Sequence, residues 1–488
     1  MSATLQSERL TTPSSDSSLR VERRISDYDA LAAKRSKYRK RNSYYHQQIE
    51  KRYQYVVPAG AKVLEIGCAT GDLLASLKPS RGVGIDFSEQ MLSEARSRHP
   101  HLEFVRMNAE ALTLDETFEY VVISGLLGDL DDIQAFFSKL RTVTCPDTRV
   151  IIDYYNHLWE PLVHFAEWVG LKMPTRIQNW LPLADIENLL YLNDFEVVKQ
   201  SYVMLLPKSI PPFTTLANRF LARLPGLRKA SLVTMIVAKE RGWLKNPDDY
   251  STTVVIPTKD ERGNIEEAVR RTPKLGNHTE IIFVDGNSTD GTADEIQRVM
   301  AANPGKDISF IPQGDGVGKG DAVRKGFAAA KGDILMILDA DLTVPPEDLP
   351  KFFDALIEGK GEFINGTRLV YQMDKQAMRF LNFLGNKFFS MAFTWLLEQR
   401  LRDTLCGTKV LFKKDYEKIA AGRSFFGDFD PFGDFDLLFG AAKQHLKIVE
   451  VPIRYRERTY GDTSISRFTH GWLLLKMVVF ASKKLKFV

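Results

Sequence analysis

Short apolar runs separated by helical patterns occur in this chain in two successive trains, and one sheet of ordinary size cannot absorb them all. From about residue 50 to 240 the runs are "AKVLEIG", "GVGIDF", "LEFVRM", "YVVISG", "RVIIDYY", "FEVVKQSYVM" and "LVTMIVAKE". A second train opens at "TTVVIPT", continues through "EIIFVDG", "ISFIP" and "DILMILDAD", and ends near "LKIVEVPIRY". Between them "RGWLKNPDDYS" is polar and rich in turn residues. Strand-like runs alternating with helices predict a sheet covered on both faces. With 488 residues, the chain is too long for one core. The expected fold class is therefore α/β in two domains, at residues 26–240 and 251–488. A linker at 241–250 joins them, and a Ser/Thr-rich, disordered tail occupies 1–25.

Bulk composition narrows the function classes. A hydrophobic content of 44% with 26% charged residues supplies ordinary folded cores. The three cysteines, Cys68, Cys145 and Cys406, are odd in number and far apart. That excludes a disulfide framework and a CxxC zinc site, and it points to a reducing cytoplasm. The first thirty residues lack the apolar core of a signal peptide, and no run reaches the roughly 18 apolar residues of a membrane span. A net charge of +4 names no partner, and no nucleic-acid ligand is expected. The basic stretch "KRSKYRKR", Lys34 to Arg41, reads as a solvated helix face, the alternative being a contact with phosphate or anionic lipid.

"VLEIGCATGDLLASL" joins an apolar strand to a helix through a Gly-rich turn. Gly67 and Gly71 admit backbone angles that let a ligand approach the main chain. Asp86 ends the next strand in "GVGIDFS", where an acid can take both hydroxyls of a ribose. The turn is G-x-A-x-G rather than G-x-G-x-x-G, which disfavours a dinucleotide. Together with "MNAEAL" after the third strand, these residues resemble the class I S-adenosylmethionine-dependent methyltransferases, a Rossmann-like fold. The resemblance implies that Glu65, Gly67, Ala69 and Gly71 wrap the methionine part of S-adenosyl-L-methionine. It implies that Asp86 holds the ribose, and that Asn108, Ala109 and Glu110 flank the adenine. Ala69 departs from the family's glycine, and "SGLLGDLDD" lacks the His or aromatic residues of many relatives. His157, in "DYYNHLWEP", is a candidate base, the alternative being an ordinary loop histidine. A binding module without methyl transfer is the second reading of this half.

In the second train, acids sit at the ends of three strands, where open α/β sheets bind ligands. "TTVVIPTKDE" stops at Pro257 and passes to Asp260 and Glu261. "EIIFVDGNSTDGT" places Asp285 likewise, and "LMILDADLTVPPEDLP" places Asp339 and Asp341. Scattered strand-end acids explain any one of these poorly placed charges, but not three at matching positions. So much negative charge calls for a compensating cation or bound donors. These motifs, with "GVGKGDAVRKG", resemble family 2 glycosyltransferases of the GT-A fold. The resemblance implies that Pro257, Asp260, Glu261 and Asp285 hold the nucleoside of a nucleotide-sugar. Asp339 and Asp341 would be the family's DxD pair, bridging Mg²⁺ or Mn²⁺ to the diphosphate, with Lys319 and Arg324 beside the donor. Gly286 departs from the second Asp of many members.

"GKGDAVRKG" and "DTLCGTKVLFKKDY" look most like enzymes that load sugars on dolichyl or other polyprenyl phosphates. Asp434 and Asp436, in "FGDFDPFGDFDLLFGA", would be catalytic carboxylates facing the acceptor, a base for a hydroxyl acceptor but not required as one for a phosphate already ionised. Arg454, Arg456 and Arg458 recur every second residue, and in a strand they would share one face as a phosphate clamp, the alternative being a solvated edge strand guarded by charge. "MRFLNFLGNKFFSMAFTWLLEQRLRD" and the C-terminal "GWLLLKMVVFASKKLKFV" suit helices lying at a membrane surface, the alternative being packing against the domain core. The processive-synthase Q-x-x-R-W motif is absent. The expectation is a cytoplasmic transferase in peripheral contact with the inner face of a membrane. Its second half moves one sugar from a nucleotide donor, with inversion, to a polyprenyl phosphate, or related lipid or glycan. Its first half uses S-adenosyl-L-methionine to methylate a glycan or lipid intermediate. A soluble enzyme acting on a hydroxyl acceptor is the third reading.

Overall fold

The computed structural model describes residues 29, 35–174, 179–242, 244–316, 318–368, 380–425, 435–454, 460 and 467–486. The expected tail at 1–25 lies outside them. The chain divides into two units, Met1–Val197 with Ser201–Glu240, and Val198–Gln200 with Arg241–Val488.

The first unit carries a seven-stranded sheet in the order β3-β2-β1-β4-β5-β7-β6. All seven anticipated runs form its strands: β1 (Lys62–Ile66), β2 (Arg81–Asp86), β3 (Glu103–Arg106), β4 (Tyr120–Ser124), β5 (Arg149–Tyr155), β6 (Phe195–Tyr202) and β7 (Val233–Glu240). β3, β2, β1, β4 and β5 run parallel, and β7 returns antiparallel to β5. Both faces are covered, so the strands are almost continuously apolar rather than alternating. Leu64, Ile66, Phe136 and Ile236 pack one core, while Val63, Leu74, Tyr53 and Met235 pack the other. The order reverses beside β1, and β1 therefore delivers its carboxyl end to a crevice.

The second unit repeats the architecture with the order β10-β9-β8-β11-β13-β12-β14. β8 (Ser251–Thr258), β9 (His278–Asp285), β10 (Asp307–Pro312), β11 (Ile334–Ile337) and β14 (Ile448–Pro452) match anticipated runs, whereas β12 (Phe363–Thr367) and β13 (Lys409–Phe412) were not foreseen. β10, β9, β8 and β11 are parallel, and β13 lies antiparallel between β11 and β12. Phe283, Phe352, Met336 and Ile364 are fully buried in its main core. Truncating any one of the phenylalanines to Ala costs about 3–5 kcal/mol. β8 runs one residue beyond Pro257, because its pairing with β9 continues to Thr258 opposite Asp285. Ile337 pairs with Val255, so Asp339 leaves its strand level with Pro257.

The two apolar helical segments of this unit divide their surface between core and solvent. Helix Phe380–Leu397 buries Phe393, Leu396 and Leu397, with Phe393 stacked on Phe435 and Phe439, and exposes Phe388 and Met391. Helix Arg467–Leu485 buries Leu474, Met477 and Ala481 and exposes Trp472 and Val479. Among the described residues no helix is long and apolar enough to cross a membrane.

Candidate functional site

In the first unit the turn after β1 takes the conformation its glycines permit. Gly67 has φ +77° and Gly71 φ +70°, and a side chain on Gly71 would run into the Phe104 ring. Ala69 also lies in the left-handed region at φ +48°, which costs a residue with a Cβ about 1 kcal/mol. Its N–H donates to Asp86 Oδ2 at 2.9 Å, and Ser88 N–H donates to Oδ1 at 2.9 Å. Burial pushes the Asp86 carboxyl up, opposed by these two donors. Glu65 is 3% exposed, and its Oε2 accepts Leu74 N–H at 3.0 Å. Burial drives its pKa up to about 8.

Above this turn opens a cavity of about 450 Å³, within the range of small-ligand sites. Glu65, Gly67, Ala69 and Asp86 line it, and Gly71 begins the next helix just outside. Asn108, Ala109 and Glu110 do not line it. Asn108 instead caps its own turn, and Glu110 Oε1 accepts Asp131 N–H at 2.6 Å and Asp132 N–H at 3.2 Å, anchoring the loop after β4. His157 is exposed and off the cavity wall, so its place as a base is not supported by position.

The N-terminal helical segments supply residues the sequence reading missed. Arg35, Tyr38, Arg39, Tyr45 and His46 line the cavity. The basic stretch is therefore solvated only in part: Lys37, Lys40 and Arg41 are exposed, whereas Arg35 and Arg39 face the cavity. Arg39 pairs with Glu50 at 2.5 Å and with Asp72 at 3.3 Å. Burial, with Arg39 and Arg35 nearby, lowers the His46 pKa to about 4, leaving the ring neutral at pH 7. A signal was present in the helical spacing of Tyr38, Asn42, Tyr45 and Ile49.

In the second unit the strand-end acids are held by the loop after β9. Asp285 accepts Ser288 Oγ–H at 2.5 Å and Ser288 N–H at 3.1 Å, and Thr289 N–H donates to Asp260 at 2.7 Å. Glu261 accepts the Asn264 amide at 2.7 Å. Gly286 packs where a Cβ would press on the Gln313 amide oxygen at 3.0 Å.

Helix Gly318–Ala329 ties these strands to the acid pair Asp339 and Asp341. Lys319 Nζ lies 2.6 Å from Asp339 Oδ1. Asp321 accepts the Gln313 amide at 2.9 Å, and Gln313 N–H donates to the Asp285 carbonyl at 2.8 Å. Arg324 lies 4.0 Å from Asp436, which Arg423 also approaches at 3.2 Å. Burial raises the Asp339 carboxyl, but the Lys319 ammonium, then Lys409 and Arg368, outweigh it and hold the group below its ordinary range. Asp341 accepts Thr343 N–H at 3.1 Å and Thr343 Oγ1–H at 2.8 Å, which fixes its plane.

Three partners of this site were not singled out in the sequence. Arg368 grips the 3% exposed Asp403 through two bonds, at 2.7 and 2.8 Å. Lys409 is fully buried with its ammonium on the Cys406 carbonyl at 2.6 Å. Gly407 abuts Asp339 so closely that a Cβ would overlap the carboxylate and the Lys319 ammonium.

Two further expectations are corrected or fall outside view. β14 ends at Pro452, so Arg454 is not in a strand, and the shared-face argument for Arg454, Arg456 and Arg458 fails at its first member. Arg456, Arg458 and Asp434 lie outside the described residues. Asp339 and Asp341 offer hard oxygen donors, and an ammonium already rests on Asp339. That chemistry fits a divalent cation whose other ligands come from a diphosphate. Among the described residues no three His, Cys, Asp or Glu side chains surround one ion.

Residues 37–200 match the family model "Methyltransferase domain", and residues 253–419 match "Glycosyl transferase family 2". The chain joins a methyltransferase domain to a family 2 glycosyltransferase domain. The glycosyltransferase domain is similar to the dolichol-phosphate mannosyltransferase of Saccharomyces cerevisiae, 38% identical over 125 residues, covering 25% of this chain and 45% of the yeast protein. The chain thus spans less than half the length of that relative. Among solved structures, magnesium protoporphyrin IX methyltransferase of Synechocystis with bound SAH is 19% identical, with a TM-score of 0.31, covering 41% of this chain and 86% of that one. Glucosyl-3-phosphoglycerate synthase of Mycobacterium tuberculosis, with Mn²⁺ and UDP, is 17% identical, with a TM-score of 0.37, covering 48% of this chain and 80% of that one.

Proposed function

We propose that the glycosyltransferase domain moves a single sugar, with inversion, from a nucleotide-sugar to a polyprenyl phosphate or related acceptor. We propose that the methyltransferase domain binds S-adenosyl-L-methionine and methylates a glycan or lipid intermediate. The observation that carries the first reading is the Asp339–Lys319 pair at the edge where β8, β9 and β11 deliver Pro257, Asp260, Glu261 and Asp285. Acids held rigidly by Ser288, Thr289 and Asn264 are suited to orient a nucleoside without reorganising. Lys319 and Arg324 stand ready for the phosphates of the donor. A divalent cation on Asp339 and Asp341 would stabilise charge building on the diphosphate leaving group. A phosphate acceptor is ionised already, so Asp434 and Asp436 need only position it, and Asp436 does so through Arg324 and Arg423.

In this reading Asp86 would take the ribose, and the turn from Gly67 to Gly71 the amino-acid part of the cofactor. S-adenosyl-L-methionine would supply an activated methyl group, leaving the protein chiefly to align the acceptor. Purified protein incubated with UDP- and GDP-sugars, with and without Mg²⁺ or Mn²⁺, tests the sugar-transfer reading. Metal-dependent donor turnover that rises with added polyprenyl phosphate is the expected result. No turnover with any donor would overturn it.

A further inference from the structure

The methyltransferase domain carries an exposed apolar border around its cavity that neither proposed reaction accounts for. Two segments build it. Helix Glu160–Trp168 and the turn after it expose Leu162, Phe165, Trp168 and Leu171, with Trp168 81% exposed. The chain from Phe213 to Arg223 is continuously helical. It buries Thr214, Ala217 and Ala222 but exposes Phe213, Leu216 and Phe220, and Leu224 and Leu227 prolong that apolar face. Phe213 is 66% exposed.

The two segments adjoin at one end, and at the other Arg41 bridges the chain that flanks them. Asn156 donates to the carbonyls of Lys229 and Ser231, and the Trp159 indole donates to the Ala230 carbonyl at 2.8 Å. At the other end Arg41 donates to the Gly170 carbonyl, and Lys208 donates to the Arg41 carbonyl. The first segment and the chain just before the second reach the cavity wall, which Trp159, Leu162, Leu171, Pro207 and Lys208 all line.

Charge selects the occupant. Between Ser201 and Ser231 the chain holds Lys208, Arg219, Arg223, Arg228 and Lys229 and no acid. Arg219 and Lys229 are exposed beside the apolar face. The first segment carries Glu160 and Glu167, the latter paired with Lys172, but on the second the aromatic and aliphatic side chains are flanked by cations alone, which fits the boundary of an anionic lipid layer. Another protein surface would place no such demand on the sign of every charge of the second segment. We propose that the methyltransferase domain docks on an anionic lipid surface through this border, and that its methyl acceptor is an amphiphile entering the cavity from that surface. The acceptor clause rests on the methyl-transfer reading above; the docking clause does not.

Flotation of the full chain with vesicles tests it. Binding to phosphatidylcholine vesicles containing phosphatidylglycerol is expected to exceed binding to phosphatidylcholine alone. The F213S/F220S pair should weaken binding to the anionic vesicles by on the order of tenfold or more. R219E/K229E alters only exposed charges, so it threatens folding least. It should remove the preference for the anionic vesicles by on the order of tenfold. Absence of vesicle binding overturns the proposal. So does binding that neither pair changes, including binding lost only with Trp472→Ser in the C-terminal helix. Self-association in the ultracentrifuge that F213S/F220S abolishes would assign the face to a second copy instead. Titration of the same preparations with S-adenosyl-L-methionine reads the methyl-transfer proposal separately. Vesicle binding without cofactor binding would sink that reading and leave docking standing.

Discussion

Glu65 holds its proton unusually firmly, because burial raises its pKa from 4.5 to about 8. Between those values the native state keeps a proton that the unfolded chain has released. Its contribution to stability is therefore complete below about pH 4.5 and is lost as pH rises through about 8. The slope approaches 1.4 kcal/mol per pH unit at most. Melting of the unliganded protein should accordingly shift downward from pH 5 to 8, and Glu65→Gln should flatten that decline. An unchanged slope in the variant would contradict this account. Glu65 and Asp86 were legible because strand-end acids next to a glycine turn have few other uses. Arg35 and Arg39 were misread, since a charge run carries no information about which surface it meets. Arg368 and Asp403 escaped notice because their pairing joins residues far apart in the chain.

Among elements, β13 was the least visible. Its four residues, "KVLF", are too short to show a period, and β12, "FINGT", carries polar residues that suggest a loop. The parallel strands β8, β9 and β11 were plain because burial on both faces makes them almost continuously apolar. Yet β13 matters to the site, because the chain leading into it seats Gly407 against Asp339. Gly407→Ala must push the carboxylate or the Lys319 ammonium aside. A displacement near 1 Å costs on the order of 100-fold in rate. Donor turnover by Gly407→Ala should fall by that order while its melting temperature stays near that of the wild type. Normal turnover would show that Asp339 need not sit where it does.

For the molecule as a whole, the two trains of apolar runs announced two sheets, and each unit carries one of seven strands. The two proposed chemistries then differ in their need for metal. EDTA is expected to stop donor turnover and leave the heat of S-adenosyl-L-methionine binding intact, with Mn²⁺ restoring the former. Loss of cofactor binding on chelation would count against that division. The strand order of the second sheet also bears on the order of synthesis. β11 receives its outer neighbour from residues 409–412, more than seventy residues downstream of Ile334, and β12 gains its two neighbours only with β13 and β14. A nascent chain that has reached residue 400 thus holds β11 with a bare edge and β12 unpaired, both open to wrong partners. Until translation passes Phe412, the polypeptide has made every acid of the proposed donor site but cannot yet close the sheet that holds them.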